Sequence, residues 1–179
     1  MCEIKIQNVI ASFKLKNKIN LKKIYLENKN ISTYDEAVFN YNVVVMRINE
    51  PKMTFLIYHT GTVICTGAKS VEDANKSFDI FKEKTRNTIT EFQLEKKLKI
   101  YNIVSTYDAK REFELVNVSQ LLNDQNVEYE PEQFPGLIYR SIIPKGTALI
   151  FQNGKMVVSG AKSMEDIKNI IKKIESKLN

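Results

Sequence analysis

Residues Thr54 to Asp73 and Thr147 to Asp166 are two copies of one segment. At an offset of 93, TFLIYHTGTVICTGAKSVED and TALIFQNGKMVVSGAKSMED share ten of twenty residues, where about one match would arise by chance. The register extends upstream. Met46-Arg47 falls on Tyr139-Arg140, and at an offset of 94 Ile6-Gln7-Asn8-Val9-Ile10 falls on Ile100-Tyr101-Asn102-Ile103-Val104, with one single-residue indel between. A chain doubled in this way builds one supersecondary unit twice, in equivalent environments. The boundary lies between Thr88 and Lys97, which predicts repeats at 1–93 and 94–179.

Each repeat reads strand, helix, four strands, helix. Ile4 to Phe13 and Lys99 to Tyr107 are β-rich openings, and Asn20 before Leu21, Ile24 and Tyr25 predicts a short capped helix. Val43 to Ile48, Thr54 to Tyr58 and Val63 to Thr66 are β-branched runs separated by turn chemistry at Glu50-Pro51 and Thr60-Gly61. Ser70-x-x-Asp73 and Ser163-x-x-Asp166 are N-cap patterns. Behind them, Val71, Ala74, Phe78 and Phe81, and Met164, Ile167, Ile171, Ile174 and Leu178, recur at helical spacing as buried stripes.

Composition then narrows the function. Apolar residues are 43% and charged residues 27% of 179, enough to bury a core and too polar for a membrane protein. No apolar run is longer than that from Val43 to Met46, and a bilayer-crossing helix needs about 20 residues. The opening Met1-Cys2-Glu3-Ile4-Lys5 lacks a signal pattern, which predicts an intracellular protein. Cys2 and Cys65 form no CxxC, so neither a disulfide framework nor a zinc site is expected. The net charge of +6 fits either an anionic partner or a lysine-rich base composition. No enzyme chemistry is visible, and no cofactor or metal is expected. His59, the lone histidine, reads as a turn residue. Gly67-Ala68-Lys69-Ser70 lacks the glycine spacing of a P-loop, and Glu72-Asp73 and Glu165-Asp166 are first-turn helix acids.

The strands are the informative part. A sheet with helices on one side should alternate to polar residues on the other. With Ile57 and Ile150 toward the helices, Leu56, Tyr58, Leu149 and Phe151 point away, together with Ile64, Thr66, Val157 and Ser159. Either a second layer, sheet or dimer partner, buries that face, or it is an apolar surface made to receive a ligand. Its few polar groups, Asn8, Asn102, Thr66 and Ser159, are small and sit at matching points of the repeats. Such a surface with flanking cations suits the DNA minor groove, whose floor at A·T pairs offers only acceptors.

QNVIAS with IYNIVS, MRINEP, ICTGAKS, YEPEQFPGLIYR and VVSGAKS together resemble the TATA-box-binding protein family from Ile4 to the C-terminus. The resemblance implies an α+β fold, a pseudo-symmetric saddle of ten antiparallel strands with helices on the convex side and DNA beneath the concave side. The family is itself a standard instance of a strand-built minor-groove reader that inserts wedges and bends DNA, so that behaviour is implied by resemblance. By the same resemblance, Asn8 and Asn102 match base-edge asparagines, and Thr66 and Ser159 the hydroxyls beside them. Ile10, Leu56, Ile64, Val104, Leu149 and Val157 match apolar groove contacts. Arg47 and Arg140 match phosphate contacts, with Lys69, Lys155 and Lys162 as auxiliary ones.

Phe134 and Phe151 match the second repeat's wedge pair. In the first repeat Tyr58 stands where the second Phe is expected. Its companion is Phe39 counting from Tyr34, or Tyr41 counting back from Arg47. The family's turn lysine before ICTG is Thr62 here. The resemblance implies double-stranded promoter DNA as partner, followed by general factor IIB-like and IIA-like proteins and the RNA polymerase machinery, with Glu130 and Glu132 as the IIB-like contact. It implies a nuclear location, or a cytoplasmic one for an archaeal source. The competing expectation is a related scaffold with weakened TATA binding that works through protein contacts.

Overall fold

The computed structural model describes residues 3–34, 43–122 and 126–178. The first repeat holds β1 (Lys5–Leu15), α1 (Leu21–Glu27), β2 (Ser32–Tyr34), β3 (Val43–Ile48), β4 (Met53–Tyr58), β5 (Thr62–Ala68) and α2 (Val71–Thr85). The second holds β6 (Leu94–Asp108), α3 (Leu115–Leu122), β7 (Val127–Glu128), β8 (Leu137–Ser141), β9 (Gly146–Ile150), β10 (Lys155–Ala161) and α4 (Met164–Leu178). The predicted order of elements therefore occurs twice. The fold is α+β with an antiparallel sheet of ten strands, ordered β2-β3-β4-β5-β1-β6-β10-β9-β8-β7.

The chain forms two compact units, Asn8–Tyr101, and Met1–Gln7 with Asn102–Asn179. In the unit of Asn8–Tyr101, strand alternation sends Phe13, Leu15, Val44, Met46, Phe55, Ile57, Val63 and Cys65 into one core with Leu21, Ile24 and Phe81. Its rings meet edge to face, Phe13 on Phe78 at 5.0 Å and on Phe81 at 5.3 Å between centroids. The equivalent core of the other unit is mostly aliphatic, with Ile150, Met156 and Val158 buried beside Ile167, Ile170, Ile171 and Ile174 of α4, and Tyr139 and Phe113 are its buried rings.

The caps form as the sequence predicts. Asn20 accepts the Lys23 N–H at 3.0 Å, Ser70 that of Asp73 at 2.9 Å, and Ser163 that of Asp166 at 3.1 Å. Glu50-Pro51 and Ile143-Pro144, equivalent turns of the two repeats, are both cis.

Three expectations are corrected. The α2 stripe is Ala74, Ser77, Phe81 and Thr85, with Val71 and Phe78 only half-buried. Reading apolar spacing alone misses Ser77 and Thr85, and Thr85 is buried because its hydroxyl donates to the Phe81 carbonyl at 2.7 Å. In α4 the buried stripe gains Ile170, while Met164 and Leu178 remain half-buried at the helix ends. Finally, β6 starts at Leu94, not Lys99, because Leu94 and Leu98 pack on the core of the Asn8–Tyr101 unit.

Among the described residues no helix is long and apolar enough to cross a membrane, and no group of three or more His, Cys, Asp or Glu could hold a metal ion. Cys65 is fully buried, and burial pushes its thiol pKa up to about 11.

Candidate nucleic-acid interface

In each unit the helices cover one side of the strands, and the side chains of opposite parity form the other face. All ten strands belong to one sheet, so no second layer from the described chain covers that face. Register sets its rows. In the Asn8–Tyr101 unit, Val45 lies opposite Leu56, Leu56 opposite Ile64, and Ile64 opposite Ser12. The other unit repeats this as Ile138, Leu149, Val157 and Thr106. A second row runs Arg47, Thr54, Thr66 in one unit and Arg140, Thr147, Ser159 in the other.

Ile10, Leu56, Ile64, Val104, Leu149 and Val157, expected here from sequence, are all half-buried on this face. Partial burial is what neighbouring apolar side chains give one another on an uncovered sheet, and it leaves an apolar surface open to solvent.

The polar groups are held by a shared device. A register shift in β1 between Val9 and Ala11, and one in β10 between Val158 and Ala161, mark bulges in the two units. At the bulges Gly67 and Gly160 take φ of +91° and +84°, a region closed to most side chains. Each glycine N–H then donates to an asparagine oxygen, Gly67 to Asn8 and Gly160 to Asn102, both at 2.7 Å. Tying up the oxygen fixes which way the amide lies. The NH₂ end becomes the group offered to a ligand, with one proton of Asn8 shared with the Thr66 hydroxyl at 3.2 Å. The face therefore presents donors at the two points where the sequence placed its asparagines. Ser159 occupies the position beside Asn102 that Thr66 occupies beside Asn8.

Phe134 and Phe151 are brought together, with ring centroids 6.0 Å apart at 65°. The Phe134 N–H donates to the Glu130 carbonyl, and the Phe151 N–H to the Lys155 carbonyl, each at 2.9 Å. Gly136 lies under both rings. A Cβ there would sit 2.8 Å from Phe134 Cε1 and 3.0 Å from Phe151 Cε1. Tyr58 ends β4 opposite Val43 and stays half-buried. Phe39 and Tyr41 lie outside the described residues.

The cations are exposed. Arg140 pairs with Glu128 at 3.2 Å, and Arg47 donates to the Thr33 hydroxyl at 3.4 Å. Lys69, Lys155 and Lys162 project from the strand ends. Glu130 and Glu132 are exposed on the turn before Phe134, where the Glu130 carboxylate accepts from the Gln133 amide.

This architecture has known counterparts. Residues 3–87 and 97–179 match the family model described as transcription factor TFIID, or TATA-binding protein. The chain belongs to the TATA-binding protein family. A TATA-box-binding protein of Archaeoglobus fulgidus is 40% identical over 176 residues, 98% of this chain and 94% of that one. One from Picrophilus torridus is 38% identical over 178 residues, covering 99% and 95%. The solved structure of the Methanococcus jannaschii family member superposes with a TM-score of 0.82 at 38% identity, covering 98% of this chain and 97% of that one. This is a family of DNA-binding transcription factors, and its member here is a transcription factor and not an enzyme.

The structure adds residues to this family face that the sequence reading passed over. Val45 and Ile138 complete the apolar rows, and the parity of Arg47 and Arg140 in the same strands was the signal that could have found them. Gln7, exposed, donates to the Thr106 hydroxyl at 2.9 Å, which the strict alternation of β1 does not reveal. Gly136 carried no sequence signal beyond being a glycine after Pro135.

Proposed function

We propose that this family member binds the minor groove of A·T-rich, TATA-like promoter DNA and bends it by inserting aromatic wedges. In this reading it nucleates a transcription initiation complex, and each repeat, at 1–93 and 94–179, reads one half of the site. The observation that supports this most strongly is the twinned asparagine amide. Each is turned by a glycine N–H so that its donors meet an A·T minor-groove floor that offers acceptors alone. Around them, half-buried apolar rows suit sugars and base edges, and Arg47, Arg140, Lys69, Lys155 and Lys162 suit phosphates, which position without specifying sequence. Phe134 and Phe151 are the second-repeat wedge, and Tyr58 is one member of the first.

General factor IIB-like and IIA-like proteins and the polymerase machinery are the partners this reading assigns, with Glu130 and Glu132 as the IIB-like contact. The relatives named above come from archaea, which lack a nucleus, so the cytoplasm is the location that fits them. A scaffold with weakened TATA binding is favoured by one observation: Tyr58 and Thr62 replace the counterparts of Phe151 and Lys155 in the same repeat. A mobility-shift titration with a TATA duplex and a G·C-rich control separates the two. Marked preference for TATA, with a bent complex, supports the promoter factor. Equal, weak binding to both supports the scaffold.

A further inference from the structure

Thr62 and Lys155 are equivalent in the two repeats at offset 93, as Lys14 and Asp108 are at offset 94. Strand register joins these four positions into two cross-strand pairs. Lys14 lies opposite Thr62 on β1 and β5, and Asp108 lies opposite Lys155 on β6 and β10. Each pair holds one lysine, but on opposite strands. The cation absent from β5 reappears on its neighbour β1, beside the turn that follows Tyr58.

Lys14 is on the face in question. Along β1 the helix-facing positions Val9, Ala11, Phe13 and Leu15 are buried, and Lys14 alternates with them in series with Ile10 and Ser12. Its side chain is 30% exposed. Side chains directly opposite in a ladder have Cβ atoms about 5 Å apart, so a lysine ammonium reaches much the same volume from either strand. Lys14 Nζ now rests 2.8 Å from Glu95 Oε2, and this contact holds the Glu95 carboxyl below its ordinary pKa. A partly exposed pair of this kind is weak, so an arriving phosphate can take the ammonium from the carboxylate.

We propose that Lys14 is a phosphate-binding residue of the first repeat, doing there what Lys155 does in the second, with Glu95 as its resting partner. The proposal rests on the minor-groove reading above.

Salt-titrated binding to a TATA duplex tests it, with melting temperatures measured alongside. Lys14→Gln should lower the slope of log K against log salt by about 0.9. Its affinity deficit should therefore shrink about 3.5-fold between 50 and 200 mM salt, with the TATA to G·C ratio unchanged. Adding Thr62→Lys to Lys14→Gln should restore the slope. Glu95→Gln should tighten binding, although it breaks the same ion pair. If Lys14→Gln and Glu95→Gln shift affinity in the same direction, or if the slope ignores Lys14, the ion pair is structural only and the proposal is overturned. If the unaltered protein shows no TATA preference, the minor-groove reading fails and takes this proposal with it. If that preference holds while Lys14→Gln is silent, this proposal alone fails.

Discussion

The side-chain oxygen of Asn102 accepts the backbone N–H of Gly160 at 2.7 Å, and the Asn8–Gly67 pair repeats the bond at the same distance. One half of each amide therefore holds the bulge, and the other half is the one that the minor-groove proposal assigns to DNA. The two roles separate by substitution. Asn102→Asp keeps the acceptor for Gly160 but replaces the NH₂ donor with a negative charge. Its melting temperature should stay close to that of the unaltered protein while TATA affinity collapses. Asn102→Ala should relax A·T preference by roughly 1 to 3 kcal/mol, whereas Arg140→Ala should weaken all sequences alike and flatten the salt dependence. An unchanged TATA to G·C ratio in Asn102→Ala would remove the asparagine from base reading.

Gly136 gives a prediction about ring placement. A methyl at this site would press on Cε1 of both Phe134 and Phe151, at 2.8 and 3.0 Å, and aromatic rings on an uncovered face can swing away. Gly136→Ala should therefore cost the free protein little but displace the wedge pair. DNA complexes should dissociate faster with a smaller bend, as read by stopped-flow release and by fluorescence transfer across the duplex. A variant that bends DNA normally would show that ring spacing in the free protein does not matter.

The fold was legible because the repeat, the caps and the strand parity are local patterns that the sequence states twice. The register of β8 on β9 placed Ile138 opposite Leu149, a relation no single strand reveals. The Asn–Gly bonds depend on bulges, and a bulge is a one-residue slip of pairing with no composition of its own. Gln7 was missed because its bond to Thr106 joins residues 99 positions apart in the sequence. Ser77 and Thr85 were missed because burial follows packing: the Thr85 hydroxyl joins the core by donating to the Phe81 carbonyl, and Ser77 is small enough to be enclosed there.

Cys65 makes stability depend on alkaline pH. Burial raises its thiol pKa from 9.0 to about 11 in the folded state, so between those values the folded protein binds more protons than the unfolded chain. That contribution is fully present below pH 9, and it is lost as pH rises toward 11. The full shift corresponds to about 2 to 3 kcal/mol. In a Cys2→Ser background, Cys65→Ala should flatten the fall in denaturation free energy over this window, and a thiol reagent should label native Cys65 far more slowly than the unfolded chain. Equal alkaline slopes with and without the thiol would refute the assignment.

Glu130 and Glu132 test partner binding. Both carboxylates are exposed on the turn that leads into Phe134, and only the main chain of Glu130 holds the Phe134 N–H. Reversing both charges with lysine should therefore leave the wedge in place and abolish a ternary complex with a IIB-like factor, while binary DNA binding persists in a mobility-shift assay. Loss of both complexes together would point to a disturbed turn instead.

The two wedge sites should not be equal. A wedge unstacks a base step at a few kcal/mol and recovers this through contacts with the bent duplex. In the proposed complex Phe151 would enter as a bare ring, and it already lies 6.0 Å from Phe134. Tyr58 carries a hydroxyl whose water must be removed on insertion, at roughly 1 to 3 kcal/mol if no partner replaces it. Tyr58→Phe should therefore slow dissociation from a TATA duplex and deepen the first-repeat kink, with free-protein stability nearly unchanged because the ring is half-buried either way. Phe151→Tyr should do the reverse. The same desolvation argument selects Phe39 over Tyr41 as the companion of Tyr58, so Phe39→Ala should reduce the bend more than Tyr41→Ala. Off-rates and bend angles for the four variants decide the matter. Faster release from Tyr58→Phe would mean that the hydroxyl finds a partner in the complex, and the asymmetry between the repeats would then have to come from Thr62 and the companion residue.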